Sequence, residues 1–314
     1  MRNVLITGVS GLIGTEVANT LLNKGFTVVG TDTRPPSISN PAFTFMQASP
    51  DDKAAFVGIF GKANCDALVH LACSCDNDLP PLITKDEIKL AASCDKFIYD
   101  LAVKERYKDI LLLSTHMVYA VQKTREPIRE SSDVKPTHMY GEIKADSEKT
   151  LSKAINKSNT NGVIMRMPQM YTKTFLDNLH SKLWDPKDNC FFIYGYGEYG
   201  FSFCSLYNLC DFVLGVLAGA NGMSNYTGVY NICDTKPLLA KDMLEFLKVN
   251  SKVGAVVQRN YGTDAVKAAM AFAGKTSKSD YRYNDIGIIC SNISYDNTKA
   301  QRIAPFRWKL SNTK

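Results

Sequence analysis

The chain lacks several things that would point elsewhere. Of its 314 residues only four are histidine and two are tryptophan. Nine are cysteine, yet no Cys-x-x-Cys pair occurs, and Cys73 and Cys75 flank a single serine. Zinc-type ligand spacing is therefore missing and no metal is expected. An odd cysteine count without a framework suits reduced thiols and a cytoplasmic location. No uninterrupted apolar run reaches the ~20 residues that span a bilayer. The first residues run straight into "NVLITG", which reads as a strand and not as a signal peptide. The net charge is +6, but no basic run carries interleaved aromatics, so neither nucleic acid nor a membrane is an expected partner. There is no internal repeat and no low-complexity linker.

What is present is an ordinary globular composition, 45% hydrophobic and 22% charged, with strand and helix patterns in alternation. "NVLIT" is a β-branched run from Asn3 to Thr7. "LIGTEVANTLLNKG" has helical spacing and stops at Gly25. "TVVGTD", "FTFMQ", "ALVHLA" and "DILLLST" read as further strands. Helices are expected near residues 51–60, 85–106 and 138–157, and "GVIMRM" follows the last of them. Apolar strands alternating with helices imply an α/β fold with a doubly wound parallel sheet, covered on both faces. After residue 167 the pattern loosens into a smaller, loop-rich lobe spanning 168–314. Segments at about 201–235 are expected to return to the main sheet.

Two local patterns carry chemistry. "TGVSGLIG" places Gly8, Gly11 and Gly14 between the first strand and the first helix, with Leu12 and Ile13 opening that helix. Glycines there let backbone N–H groups approach a pyrophosphate at the helix N-terminus, and let the helix pack closely on the sheet. Asp32 ends the second strand, where a carboxylate accepts hydrogen bonds from a ribose and repels a 2′-phosphate. NAD is favoured over NADP; Arg34 nearby reads as a solvated loop charge or as a phosphate ligand. The second pattern is "HMYGEIKADSEK". Tyr140 and Lys144, four residues apart, share one helix face. An ammonium beside a phenol favours the phenolate and makes the tyrosine a usable acid or base.

Taken in order, the three glycines, Asp32, "HLA" (His70 to Ala72), "STHMVYA" and "YGEIK" resemble the extended short-chain dehydrogenase/reductase family, the NAD-dependent epimerase/dehydratase group that modifies nucleotide sugars. "KADSE" around Glu148, "MRMPQMY", "GVYNI" and the closing "YDNTKAQ…FRW" extend the likeness over almost the whole chain. The resemblance implies a Rossmann-type NAD-binding domain over 1–167 and a mainly substrate-binding lobe beyond it. It implies that Tyr140 is the acid/base, that Lys144 binds the nicotinamide ribose and lowers the Tyr140 pKa, and that Thr115 bonds the reacting oxygen. Leu71 and Ala72 would lie against the dinucleotide. Family members often pair through the helices before and carrying the Tyr/Lys motif, which implies a homodimer.

The chain also departs from the family. His116 and Met117 stand where dehydratases of the group carry an acid pair, which disfavours elimination of water. His116 reads as a packed side chain or as an auxiliary acid/base, and His138 as a helix-start or pocket residue. Gln169 replaces a substrate-contacting asparagine, and Phe201 stands at an arginine position near the substrate phosphates. "FFIYGYGEYGF" offers aromatics to stack on a base or sugar, or to cover a lobe interface. The reading is an epimerase that oxidises and re-reduces a hydroxyl carbon of a nucleotide sugar. A net dehydrogenase or reductase of a sugar or small secondary alcohol is the alternative. A non-catalytic dinucleotide sensor is the third, and the retained Tyr140 and Lys144 argue against it.

Overall fold

The computed structural model of the protein describes residues 2–73, 84–120, 126–137, 139–185, 188–222, 225–259 and 293–314; Cys75 and His138 lie outside the described residues. The first half is laid out as β1 (Asn3–Thr7), α1 (Leu12–Leu22), β2 (Thr27–Thr31), β3 (Phe43–Phe45), α2 (Lys53–Ala63), β4 (Ala67–His70), α3 (Lys85–Lys104), β5 (Asp109–Thr115), α4 (Met139–Ile155) and β6 (Asn161–Met167). Beyond it come β7 (Met170–Tyr171), α5 (Asp177–Leu183), β8 (Trp184–Asp185), β9 (Cys190–Tyr194), β10 (Gly200–Phe201) and β11 (Cys204–Ser205). They are followed by α6 (Leu206–Leu217), β12 (Gly228–Asn231), β13 (Leu238–Leu239), α7 (Ala240–Asn250) and β14 (Val256–Arg259).

Seven strands form one parallel sheet in the order β12-β6-β5-β4-β1-β2-β3. The architecture is the Rossmann-type doubly wound sheet that the alternation implied. Side chains alternate between its two faces. Val4, Ile6, Val69 and Leu111 join α1 and α6 residues such as Val17, Leu21 and Phe212 in one core. Leu5, Leu68, Ile110 and Leu112 join Phe56, Ile98 and Leu151 of α2, α3 and α4 in the other. Each strand face is thus sealed, which is why these strands read as continuous apolar runs.

The chain leaves β1 toward β2 and β3 on one side and returns to β4, β5 and β6 on the other. That reversal opens a crevice beyond the carboxyl ends of β1 and β4. The "HLA" strand is shorter than expected because Leu71 and Ala72 leave the ladder at this crevice. Helix α3 ends at Lys104, two residues early, as Arg106 turns into the left-handed region at φ +61°.

Outside the main sheet, Tyr171, Leu179, Leu183, Phe191, Phe203, Met243 and Leu247 make a separate core around α5 and α7. Most aromatics of "FFIYGYGEYGF" serve this core. Phe191 packs on Trp184 at 5.1 Å and Tyr194 on Tyr199 at 5.9 Å. Tyr196 stands out at 80% exposure. No helix among the described residues is long and apolar enough to cross a membrane.

Candidate active site

The crevice is first a matter of backbone. Gly8 follows β1 at φ +73°, and a Cβ there would meet the Ala72 nitrogen at 2.7 Å. A Cβ at Gly14 would come within 2.1 Å of the Gly8 carbonyl oxygen. These two glycines are demanded by the protein's own packing. Gly11 is not: a Cβ there would meet only ordinary contact, the Gly8 oxygen at 3.6 Å. Gly11 caps α1 without a side-chain hydrogen bond, and Leu12 behind it is exposed while Ile13 is half-buried. The amide end of α1 therefore faces outward, with the positive pole of the helix behind it.

Asp32 sits beside this loop. Its carboxylate accepts the Ser10 N–H at 2.9 Å and the Thr33 N–H at 2.7 Å. Arg34 is exposed, and its carbonyl accepts the Ser10 hydroxyl. Opposite, the Leu71 N–H bonds the Thr7 carbonyl at 3.2 Å and the Ala72 N–H reaches the Thr7 hydroxyl at 3.4 Å. Gly8, Gly11, Gly14, Asp32, Leu71 and Ala72 thus border one crevice. A smooth glycine turn, a helix amide end and a carboxylate at the neighbouring strand suit a dinucleotide.

A second set of groups hangs on α4. Glu148 anchors that helix: Arg166 of β6 donates to it twice, at 3.0 and 2.6 Å, and the Ser114 hydroxyl of β5 donates at 2.5 Å. Gly141 fixes the height of the helix, because a Cβ there would meet the Met117 carbonyl oxygen at 2.5 Å. The first turn of α4, which carries Tyr140, thereby packs against the turn that begins at Thr115. The Thr115 hydroxyl accepts the Met117 N–H at 3.2 Å, which leaves its own proton to donate elsewhere. Lys144 is only 4% exposed and its Nζ lies 5.8 Å from the centre of the half-buried Tyr140 ring. Burial alone would depress the Lys144 pKa. Cys73, Tyr140 and Asp95 outweigh it and hold the ammonium above its ordinary value.

Other expected residues sit elsewhere. His116 is buried, its ring 3.6 Å from that of Tyr295. Burial pushes its pKa well below the ordinary value, so it is a neutral, packed ring near pH 7. The Gln169 side-chain amide, just past β6, donates to the Asn178 side-chain oxygen Oδ1 at 3.4 Å, and the Asn178 side-chain amide donates to the Met170 carbonyl at 2.8 Å. Phe201 lies farther along, packed on Tyr199 at 5.7 Å and under Lys182. Sequence reasoning missed Gly141, Asp95 and the role of Arg166. Only Gly141 left a signal, being the glycine directly after the motif tyrosine.

The sequence model described as the NAD dependent epimerase/dehydratase family matches residues 4–233, from β1 through β12. The chain belongs to that family. As a member of the NAD dependent epimerase/dehydratase family it is an enzyme whose cofactor is NAD, and the crevice around Gly8, Gly11, Gly14 and Asp32 fits that cofactor. Among solved structures it is similar to the WbmH enzyme of Bordetella bronchiseptica in complex with NAD+. That likeness has 20% identity and a TM-score of 0.67 over 84% of this chain and 87% of the other. It is also similar to MoeE5 in complex with UDP-glucuronic acid and NAD, at 16% identity and a TM-score of 0.71 over 98% and 95% of the two chains. A third likeness is to the UDP-glucuronic acid 4-epimerase of Bacillus cereus with UDP-glucuronic acid and NAD, at 18% identity and a TM-score of 0.70 over 98% and 95%. Among curated proteins, the uncharacterized protein y4nG of Sinorhizobium fredii is 23% identical over 168 residues. That match covers 53% of this chain and 40% of the relative's own length.

Proposed function

We propose that the protein epimerises a hydroxyl-bearing carbon of a nucleotide sugar, with Tyr140 as the acid/base. The observation that carries this reading is the buried Lys144 ammonium 5.8 Å from the Tyr140 ring, on a helix seated against the Thr115 turn. Tyr140 takes the proton of the substrate hydroxyl and later returns it to the same oxygen. Lys144 favours the phenolate that accepts the proton. Thr115 donates its free hydroxyl proton to the reacting oxygen and holds it in place. When bound, NAD supplies the hydride acceptor and the hydride donor of the two half-reactions. The likeness to nucleotide-sugar enzymes over nearly the whole chain supports the substrate class. On this reading Gln169 and Phe201 belong to the substrate lobe, and two chains pair through α3 and α4 as a homodimer, to be checked by sedimentation.

One observation favours a second reading. Phe201 packs into an aromatic cluster where the family resemblance implies an arginine for phosphate. A net NAD(P)-dependent dehydrogenase or reductase acting on a sugar or smaller secondary alcohol would need no such cation. Purification without added cofactor, denaturation and mass spectrometry of what is released separates the two. Near-stoichiometric NAD or NADH is the expected result for an enzyme that regenerates its cofactor each turn. An empty protein that binds NAD weakly would support the dehydrogenase, and NADP would overturn the weight given to Asp32 over Arg34.

A further inference from the structure

Behind the floor of the crevice three polar side chains stand in a row. Thr7 closes β1, and its hydroxyl lies 2.7 Å from Nδ1 of His70 at the end of β4. Nε2 of His70 lies 3.1 Å from the carboxylate of Asp95 on α3. Thr7 and His70 are each 1% exposed. Tyr99 of α3 packs nearly at right angles to the imidazole, with ring centres 5.3 Å apart, and so holds the plane of that ring. The Thr7 hydroxyl also receives the Ala72 N–H at 3.4 Å, while the Thr7 carbonyl receives the Leu71 N–H at 3.2 Å. These two amides lie where the chain leaves β4, and Ala72 is the residue that leaves no room for a Cβ on Gly8. Thr7 therefore sets the spacing between the glycine turn and the opposite wall of the crevice.

One arrangement of protons leaves nothing in this row unpaired. A carboxyl ordinarily titrates near ~4, so at neutral pH Asp95 only accepts. Nε2 of His70 must then carry a proton and donate it. If Nδ1 is bare, the Thr7 hydroxyl donates to it, and the lone pairs of the same oxygen are left for the Ala72 N–H. If Nδ1 also carried a proton, Thr7 would receive two N–H groups, and its own proton would have no acceptor among the described residues. A buried donor left unpaired is disfavoured. We propose that His70 is a positioning residue of the cofactor crevice: oriented by Asp95 in the tautomer protonated at Nε2, it accepts the Thr7 hydroxyl and so fixes the oxygen that holds the Ala72 amide. This rests on NAD lying in the crevice at Gly8 and not on the chemistry of Tyr140.

The test joins a spectrum to a binding cycle. The chain has only four histidines, so a long-range proton–nitrogen correlation spectrum of the labelled protein at neutral pH separates them, and the signal lost in His70→Leu identifies His70. The expected pattern is that of a ring protonated at Nε2 alone. A ring protonated at Nδ1 alone, or at both nitrogens, overturns the proposal. NAD binding is read by calorimetry on cofactor-free protein. Thr7→Val keeps the branched shape and removes the hydroxyl; it is expected to weaken NAD binding about three- to tenfold, the worth of one lost hydrogen bond. Thr7→Ser, which keeps the hydroxyl, is expected to restore most of that loss. His70→Leu is expected to weaken binding by a similar factor alone and to add nothing in a Thr7→Val background, since its effect passes through that hydroxyl. Losses that add in the double variant overturn the proposal, and a lowered melting temperature with unchanged NAD affinity would make the row merely structural. If His70→Leu does not fold, His70→Gln, which also carries a donor and an acceptor, assigns the signal, and the two Thr7 variants still decide. Failure of the footing looks different: Gly11→Ala would then bind NAD as the wild type does, whatever the spectrum shows.

Discussion

The crevice at Gly8 and the seat of α4 serve the same edge of one sheet by different physics. The crevice is made of backbone. Its shape depends on the absence of side chains at Gly8 and Gly14, and charge enters only through Asp32 and the end of α1. The seat of α4 is made of buried charge: Glu148 against Arg166, with the buried Lys144 beside the Tyr140 ring. The first is intolerant of one added carbon at Gly8 or Gly14. The second does not tolerate the loss of a partner, because a buried ion left alone keeps its desolvation penalty.

Substitutions can separate the two. The largest effect is expected where neither region is disturbed. Tyr140→Phe should lower turnover by about 10²–10⁴-fold, the usual contribution of a general acid/base. NAD affinity, read by calorimetry, and the melting temperature should stay at wild-type values. An equally active variant would remove Tyr140 from the chemistry. Next, Glu148→Ala strands Arg166 and should cost about 3–5 kcal/mol in urea unfolding. A loss under 1 kcal/mol would mean that charge does not hold α4. Then Gly14→Ala, whose Cβ would overlap the Gly8 carbonyl, should cost about 1–3 kcal/mol together with NAD binding. Gly11→Ala should weaken NAD binding while leaving stability unchanged. Equal stability losses at both glycines would show that the Gly11 space belongs to the protein and not to the ligand.

The smallest effect sharpens the contrast with a third buried charge. Asp234 accepts from the Tyr171 hydroxyl, the Ser205 N–H and the Asn208 amide. Burial nevertheless raises its pKa to about 6. A carboxyl raised in the folded state favours folding below its unfolded value, 3.8, and that contribution fades as pH rises through about 6. Asp234→Asn should therefore flatten the decline in unfolding free energy between pH 4 and 7 by about 1–2 kcal/mol. A slope identical to wild type would place that titration elsewhere.

Much of this was legible in the chain. β-branched runs and helical spacing fixed the strands and helices of the sheet to within a few residues, because each is long enough to show its period. The glycine turn and the Tyr140–Lys144 spacing were legible because their geometry is local. Asp95 was not: it meets His70 only once α3 lies against β4, and no spacing records that. The same holds for the meeting of Arg166 with Glu148. The run from Phe191 to Phe201 failed differently. An aromatic that packs on its neighbours and one that stacks on a ligand have the same letter, so only the observed contacts assign Phe191 and Tyr199 to a core. His116 likewise depended on Tyr295, far along the chain.

The position of β12 also has a consequence for how the molecule is made. It supplies the outermost strand beside β6, and α6 supplies Leu209, Phe212 and Val213 to the core against α1. As the chain emerges from a ribosome, β6 is synthesised long before its partner. Until Asn231 has appeared, that strand is a bare edge beside an uncovered apolar face. The nascent protein then needs shielding from its neighbours over that interval, and a premature stop between β6 and α6 would release a sticky fragment instead of a small working domain.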